Sequence, residues 1–100
     1  MFGKEKMQKD LEMYVIHDMK AQHYDNPIFA QSTPVLLREL KNLMTDPKSQ
    51  DSKYYVNAED YTLYRVASWD KKQGLIFNTE REHVANLIDI KASVLGQKAN

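Results

Sequence analysis

The chain contains no cysteine, which excludes disulfides, thiol nucleophiles and cysteine-ligated zinc. Its three glycines, Gly3, Gly74 and Gly96, lie too far apart to form a loop that cradles phosphates. No apolar run approaches the roughly 20 residues of a membrane span. No apolar segment of the signal-peptide type follows the charged N-terminus. These absences predict a cytoplasmic protein with no membrane partner.

The chain also lacks an excess of either charge. It has 14 basic and 14 acidic residues, so its formal net charge is zero. Each half of the sequence is balanced as well. This argues against an affinity that depends on long-range attraction to phosphates. The balance does not exclude a local basic patch.

The length of 100 residues predicts one domain, because a second core would not fit. We assign this domain to residues 11–95. The polar residues 1–10 are expected to form a flexible N-terminal arm, and residues 96–100 a polar tail.

The first half of the chain predicts a strand and then a helix. Residues 11–20 alternate as a strand whose Met13 and His17 lie on the opposite face from Tyr14. Thr33 is predicted to cap the helix, with Pro34 at its first position. The helix runs to about Met44 and carries a leucine stripe at helical spacing.

The second half predicts a hairpin. Residues 61–69 form a strand on which every second residue shares a face, so Arg65 and Trp69 are expected on the same side. Gly74 closes the turn with a positive φ. Residues 75–79 form the next strand, and a short C-terminal helix begins near Glu80.

This order predicts an α+β fold. We expect a small antiparallel or mixed sheet of three to four strands, with one main amphipathic helix and the short C-terminal helix. Such a small sheet leaves an exposed edge. Pairing of edges across a two-fold axis would cover it, so a homodimer is expected.

The sequence contains no catalytic, cofactor or metal motif. His17, Asp18, His23 and Asp25 match no metal framework in their spacing. The serines lack the context of a nucleophile elbow. We therefore expect a protein that is not an enzyme.

A cluster of basic and aromatic residues is the main functional candidate. Rings that stack on bases beside cations that contact phosphates are what a single-strand binder needs. The alternative is that the rings belong to the core and the lysines keep a hairpin soluble. The candidate nucleic-acid-binding residues are Lys53, Tyr54, Tyr55, Arg65, Trp69, Lys71 and Lys72.

Three blocks carry a family resemblance. They are Tyr14-Val15-Ile16-His17-Asp18 leading to Pro27-Ile28-Phe29-Ala30-Gln31-Ser32, the leucine helix ending near Asp46-Pro47, and Glu59-Asp60-Tyr61-Thr62-Leu63-Tyr64 with Trp69-Asp70 and Gly74. Over roughly residues 13–95 the chain is similar to the small nonstructural protein of gokushovirus-like microviruses, bacteriophages with single-stranded DNA genomes. In that family a proline often precedes the Glu-Asp pair; here Ala58 stands there, which favours a helical turn.

The resemblance implies a nonstructural phage protein of the host bacterial cytoplasm that binds single-stranded DNA in genome replication or packaging. It brings no set of binding residues with it. The balanced charge favours an alternative, an adaptor that docks a viral or host replication protein through its sheet edge or the Tyr54-Tyr55 loop.

Overall fold

The computed structural model describes residues 8–99, with side chains through residue 96. Five strands and three α-helices lie within these residues, together with two short 3₁₀ turns at Pro47–Ser49 and Ala58–Asp60. In chain order the elements are β1 (Leu11–Asp18), β2 (His23–Tyr24), β3 (Ile28–Ala30), α1 (Thr33–Thr45), α2 (Lys53–Val56), β4 (Tyr61–Asp70), β5 (Leu75–Asn86) and α3 (Leu87–Ala99).

The strands form one antiparallel sheet in the order β2-β1-β4-β5, and β3 pairs with β1 as well. The α+β class is confirmed, with five strands instead of three to four. The additional strands arise because the short β2 and β3 pair with successive parts of the same edge of β1. Pro27 separates them, since proline offers no N–H to a ladder.

Helix α1 begins one residue earlier than predicted. Ser32, not Thr33, is the N-cap, and its Oγ accepts a hydrogen bond from the Val35 N–H at 3.4 Å. The Thr33 hydroxyl is instead paired with the Tyr14 hydroxyl of β1 at 2.7 Å. Serine and threonine are both good caps, and here the Thr33 hydroxyl is engaged by β1 while Ser32 caps the helix.

The core lies between one face of the sheet and the helices α1 and α3. Tyr14 and Ile16 of β1 and Leu63 of β4 are fully buried in it. The helices contribute Leu36, Leu40, Met44, Leu87, Ile90 and Val94. The predicted leucine stripe of α1 therefore packs inside the domain, although Leu43 is only partly buried.

A β-bulge at Val66 changes the face of β4. Arg65 pairs with Tyr14, whereas Ala67 pairs with Met13, so two steps along β4 correspond to one step along β1. Because neighbouring residues of β1 point to opposite faces, the side chains of Arg65 and Ala67 do so too. The prediction that Arg65 and Trp69 share a face is therefore wrong.

Strand β5 is longer than predicted, and α3 begins later. β5 continues to Asn86 because β4 supplies partners along its whole length, up to Thr62 opposite Asn86. Val84, predicted to be helical, packs against the core from the strand. Helix α3 starts at Leu87 and extends to Ala99, past the predicted domain boundary at residue 95.

The start of the described chain is bound to the hairpin. The Asp10 N–H donates to the Trp69 carbonyl at 2.9 Å, and the Gln8 N–H donates to the Asp70 carboxylate at 3.0 Å. The rest of the predicted arm, residues 1–7, lies outside the described residues. Within residues 8–99, no helix is long and apolar enough to cross a membrane.

Candidate functional site

One face of the sheet carries no helix. We call it the open face, and the pairing registers define it, since residues directly opposite one another in a sheet point the same way. Within the described part of the chain, none of its residues belongs to the core cluster that packs against the helices, although Ala67 and Thr62 are themselves buried. Its members are Leu11, Met13, Val15 and His17 of β1, Tyr24 of β2, Phe29 of β3, Thr62, Tyr64, Ala67 and Trp69 of β4, and Ile76, Asn78, His83 and Asn86 of β5.

Four rings adjoin one another at one end of the open face. The ring centroids of His17 and Tyr24 are 4.5 Å apart, and Tyr64 lies 6.4 Å from Tyr24 and 6.0 Å from His83. The row crosses four neighbouring strands, because β2, β1, β4 and β5 each supply one ring. This end of the sheet is therefore a continuous aromatic surface, which we call the ring row.

Arg81 of β5 lies over the ring row. Its guanidinium carbon is 4.8 Å from the Tyr64 ring centroid and 5.7 Å from that of Tyr24, and it also donates a hydrogen bond to the Tyr24 hydroxyl. Cation–π attraction of this kind contributes about 0.5–1 kcal/mol at an exposed site. The arginine thus places one positive charge directly on an aromatic surface.

The opposite end of the open face is apolar. Leu11, Phe29, Trp69 and Ile76 line a shallow groove of about 260 Å³. Phe29 and Ile76 are about half exposed, at 45% and 51%. An indole and a phenyl ring at a groove wall can receive either a nucleobase or an apolar side chain of a partner.

Carboxylates are concentrated on the other side of the sheet. The acidic residues of β1 and β4 point away from the open face; they are Glu12, Asp18 and Asp70. Neither of these central strands therefore presents a negative charge on the open face. The chain is neutral as a whole, yet this surface does not oppose the approach of a phosphate backbone.

Among the predicted binding residues, Trp69 lies on the open face and Arg65 does not. The Arg65 guanidinium is held by the Glu12 carboxylate at 2.9 Å and the Glu82 carboxylate at 2.8 Å. Its side chain is only 16% exposed. Arg65 is therefore engaged in an ion-pair network on the face that carries the helices.

The hairpin lysines Lys71 and Lys72 are exposed at the turn between β4 and β5. Their backbone N–H groups donate to the carboxylates of Asp10 and Asp70, each at 2.9 Å. These two cations adjoin the apolar end of the open face, because Asp70 directly follows Trp69. The nearby carboxylates reduce the positive potential of the turn.

Lys53 and the two tyrosines after it lie in α2, on the other side of the sheet from Trp69. The Lys53 ammonium is 3.0 Å from the Asp25 carboxylate, which also accepts a hydrogen bond from the Tyr54 hydroxyl at 2.5 Å. Lys91 stands 4.2 Å from the Tyr55 ring centroid and donates to the Tyr55 carbonyl at 2.7 Å. Both tyrosines are partly buried against the core. The predicted cluster is thus divided between separate parts of the molecule.

The ring row was not predicted as a site. Both faces of β1 are apolar in the middle of the strand, a pattern that favours a central or well-covered strand. The structure leaves one of these faces without a helix. No sequence pattern indicated Arg81 as a binding residue, because the predicted strand over residues 75–79 ended before it.

No metal centre is formed by the described residues, since no group of three or more His, Asp or Glu side chains is placed to hold an ion. The His17 ring packs against the Tyr24 ring, and the Asp25 carboxylate pairs with Lys53 and Tyr54.

Fold and site define a small α+β protein whose antiparallel sheet exposes an aromatic face. A comparison with known families matches residues 11–90 to the family described as Phage ORF5 protein. The chain belongs to the Phage ORF5 protein family and is a phage protein. This confirms the bacteriophage origin that the resemblance implied. Among curated proteins and among solved structures, the chain has no match.

Proposed function

We propose that the protein is a nonenzymatic phage accessory factor that binds single-stranded DNA on the open face. The observation that carries the proposal is the ring row, with Arg81 over two of its rings and no carboxylate from the central strands. Each base that stacks on such a ring contributes about 1–3 kcal/mol. Sheets whose exposed aromatic residues stack on unpaired bases are an established means of recognising single strands.

The resemblance to the small nonstructural protein of gokushovirus-like microviruses supports the same ligand, since those phages have single-stranded DNA genomes. The role that follows is in viral genome replication or packaging, in the host bacterial cytoplasm. The proposal keeps Trp69, Lys71 and Lys72 from the predicted cluster and adds Tyr24, Tyr64 and Arg81. It assigns Arg65 to the stability of the fold.

A titration of fluorescein-labelled oligothymidylate with the protein, read by anisotropy, tests the proposal. We expect Tyr64→Leu to weaken binding by roughly five- to 150-fold, which corresponds to the loss of one stacked base. Tyr55→Leu is the matched control, because it removes the same ring from the other side of the sheet. Unchanged affinity in Tyr64→Leu together with a loss in Tyr55→Leu would move the site to the sequence-predicted tyrosines.

The salt dependence of binding provides a second readout. With Arg81 as the main cation over the ring row, one or two phosphate contacts give a slope of log K against log salt of roughly −1. Arg81→Gln should make this slope shallower, whereas Lys41→Gln on the exposed side of α1 should leave it unchanged. No binding at low salt with tens of micromolar protein, on the order of weak nonspecific affinities, would reject the proposal.

A protein-interaction adaptor is the second candidate function, and the apolar groove favours it. Exposed Phe29 and Ile76 beside Trp69 resemble the apolar anchors of a protein interface more than a phosphate site. The partner would be a viral or host replication protein. A pull-down from infected cells with and without nuclease separates the two functions, because only a protein partner survives the nuclease.

A homodimer also remains part of the proposal. Light scattering during size exclusion at several protein concentrations measures it, and a constant mass of 11.7 kDa would exclude it.

A further inference from the structure

The chain has three histidines, and two of them are the end members of the ring row. Successive ring contacts follow the order His17, Tyr24, Tyr64, His83. Two tyrosines therefore occupy the middle of the row, and an imidazole stands at each end. The third histidine, His23, lies opposite Asp18 in the pairing of β2 with β1, so its side chain is on the other side of the sheet.

Both imidazoles of the row can gain a proton without losing a hydrogen bond. The Nε2 atom of His83 lies 3.0 Å from Asn86 Oδ1. An amide oxygen only accepts, so Nε2 carries the hydrogen of the neutral ring and Nδ1 takes the added proton. The nitrogens of His17 have no hydrogen-bond partner within residues 8–96 and are not buried unsatisfied atoms, so they are in contact with solvent.

The charged group that contacts the ring row is Arg81, and the acidic residues nearby are directed elsewhere. The Glu82 carboxylate binds an arginine on the other face, and Asp25, which follows Tyr24, is engaged by α2. Glu80 is exposed beside Arg81 in the sequence. Within residues 8–96 no carboxylate forms an ion pair with a histidine. A proton gained by either imidazole therefore adds positive charge to the row.

A protonated imidazole is a suitable ligand for a phosphate group. The ring titrates near pH 6.5 in ordinary surroundings, and its cationic form carries two N–H donors. Each contact between a cation and a phosphate also releases condensed counterions from the nucleic acid. When bases stack on the two tyrosines, the phosphates that flank these bases lie toward the ends of the row. The two histidines stand at those ends.

We propose that His17 and His83 are phosphate-binding residues of the open face and that they act as imidazolium ions. The bound strand favours the protonated rings, so binding takes up protons and is tightest at acidic pH. This inference rests on the proposed DNA binding. It adds two cations that the formal net charge of the chain at pH 7 does not count.

The test measures the affinity for oligothymidylate labelled with tetramethylrhodamine, by anisotropy, at pH 8.0 and pH 5.5. Thymine and this dye keep their charge across the interval. Two exposed charge contacts predict binding that is roughly fivefold to tenfold tighter at pH 5.5 in low salt. The slope of log K against log salt should steepen from roughly −1 to roughly −2, because a single strand contributes about −0.7 for each contact.

The variants divide the three histidines by their side of the sheet. His17→Gln combined with His83→Gln should remove the dependence of affinity on pH and the steeper slope at pH 5.5. His23→Gln is the matched control, because it removes the same titrating ring from the other side of the sheet, and it should retain both. Full pH dependence in the double variant, or its loss in His23→Gln, would overturn the inference.

The remaining outcomes separate this inference from the proposed function. Binding of the unmodified protein that does not change with pH would overturn the role of the histidines and leave the open face as the site. No binding at either pH would overturn the proposed function itself.

If the double variant fails to fold, the imidazole C–H resonances of the unmodified protein decide the matter. Saturating oligothymidylate should raise the titration midpoints of His17 and His83 by about 0.5 and leave that of His23 unchanged. Equal midpoints with and without the oligonucleotide would contradict the inference.

Discussion

Replacing Glu12 by glutamine should destabilise the protein much more than the same change at Glu82, although both carboxylates bind the same arginine. Glu12 receives Arg65 at 2.9 Å and the Ser68 hydroxyl at 2.5 Å, and its side chain is only 15% exposed. Glu82 binds Arg65 at 2.8 Å but is 61% exposed. The two substitutions therefore remove similar contacts from different environments.

The expected magnitudes follow from burial. Removing one partner of a fully buried ion pair costs about 3–5 kcal/mol, because the other charge is left uncompensated. In the Glu12→Gln protein, Arg65 keeps Glu82 and some solvent contact, so we expect a loss of about 2 kcal/mol in the free energy of unfolding. An exposed pair contributes about 0.2–1 kcal/mol, which sets the expected loss for Glu82→Gln at about 0.5 kcal/mol.

Urea unfolding followed by circular dichroism measures both values, with the slope against urea as a check that the unfolded state is unchanged. For a chain of this length the two losses correspond to drops in Tm of about 10 °C and about 3 °C. Equal losses, or a larger loss for Glu82→Gln, would refute the reasoning. Arg65 would then be a surface cation, as the sequence analysis predicted.

Three further results are expected. Leu63→Ala should lower the free energy of unfolding by about 2–5 kcal/mol, because Leu63 is fully buried, and a loss below 1 kcal/mol in urea unfolding would contradict this packing. Gly74→Ala should cost about 1–2 kcal/mol from backbone conformation alone, since φ is +68° and no described atom lies within 4 Å of the added methyl group; an unchanged Tm would contradict the turn. The pKa of the buried Asp70 carboxylate is lowered, mainly by the hydrogen bond from the Gln8 N–H. The ionised carboxylate therefore stabilises the folded protein fully above its unfolded pKa of about 3.9. This stabilisation is lost as the pH falls through the lower pKa of the folded state. The free energies of unfolding of Asp70→Asn and of the unmodified protein, measured in urea, should therefore converge in that acidic range. A difference between them that stays constant down to pH 2 would contradict this role of Asp70.

The three long strands, the main helix and the α+β class could be predicted because their signals are local. Alternation marks β1, the leucine stripe marks α1, and the hairpin residues end in a glycine that does adopt a positive φ. The ends of helices and strands depended on contacts with residues distant in the chain. The cap of α1 was decided by a contact with Tyr14, and the length of β5 by the length of β4.

The candidate site was predicted less well, because it depends on which residues the fold brings together. Tyr54 and Asp25 are 29 positions apart in the chain and form a hydrogen bond that no local pattern indicates. Strict alternation also fails at Val66. It placed Arg65 on the same face as Trp69, whereas the pairing of β4 with β1 puts them on opposite sides of the sheet. The presence of aromatic residues in β4 could be read from the sequence, but their orientation could not.

The bulge at Val66 makes the spacing of the chain as consequential as its chemistry. Deleting that single residue would make β4 alternate regularly against β1 with Arg65 still opposite Tyr14 and Ala67 still opposite Met13, so the indole of Trp69 would stay on the open face. A gap of one position at the bulge should therefore be tolerated in this lineage, whereas a residue inserted between Ala67 and Trp69 would turn the indole toward the helices.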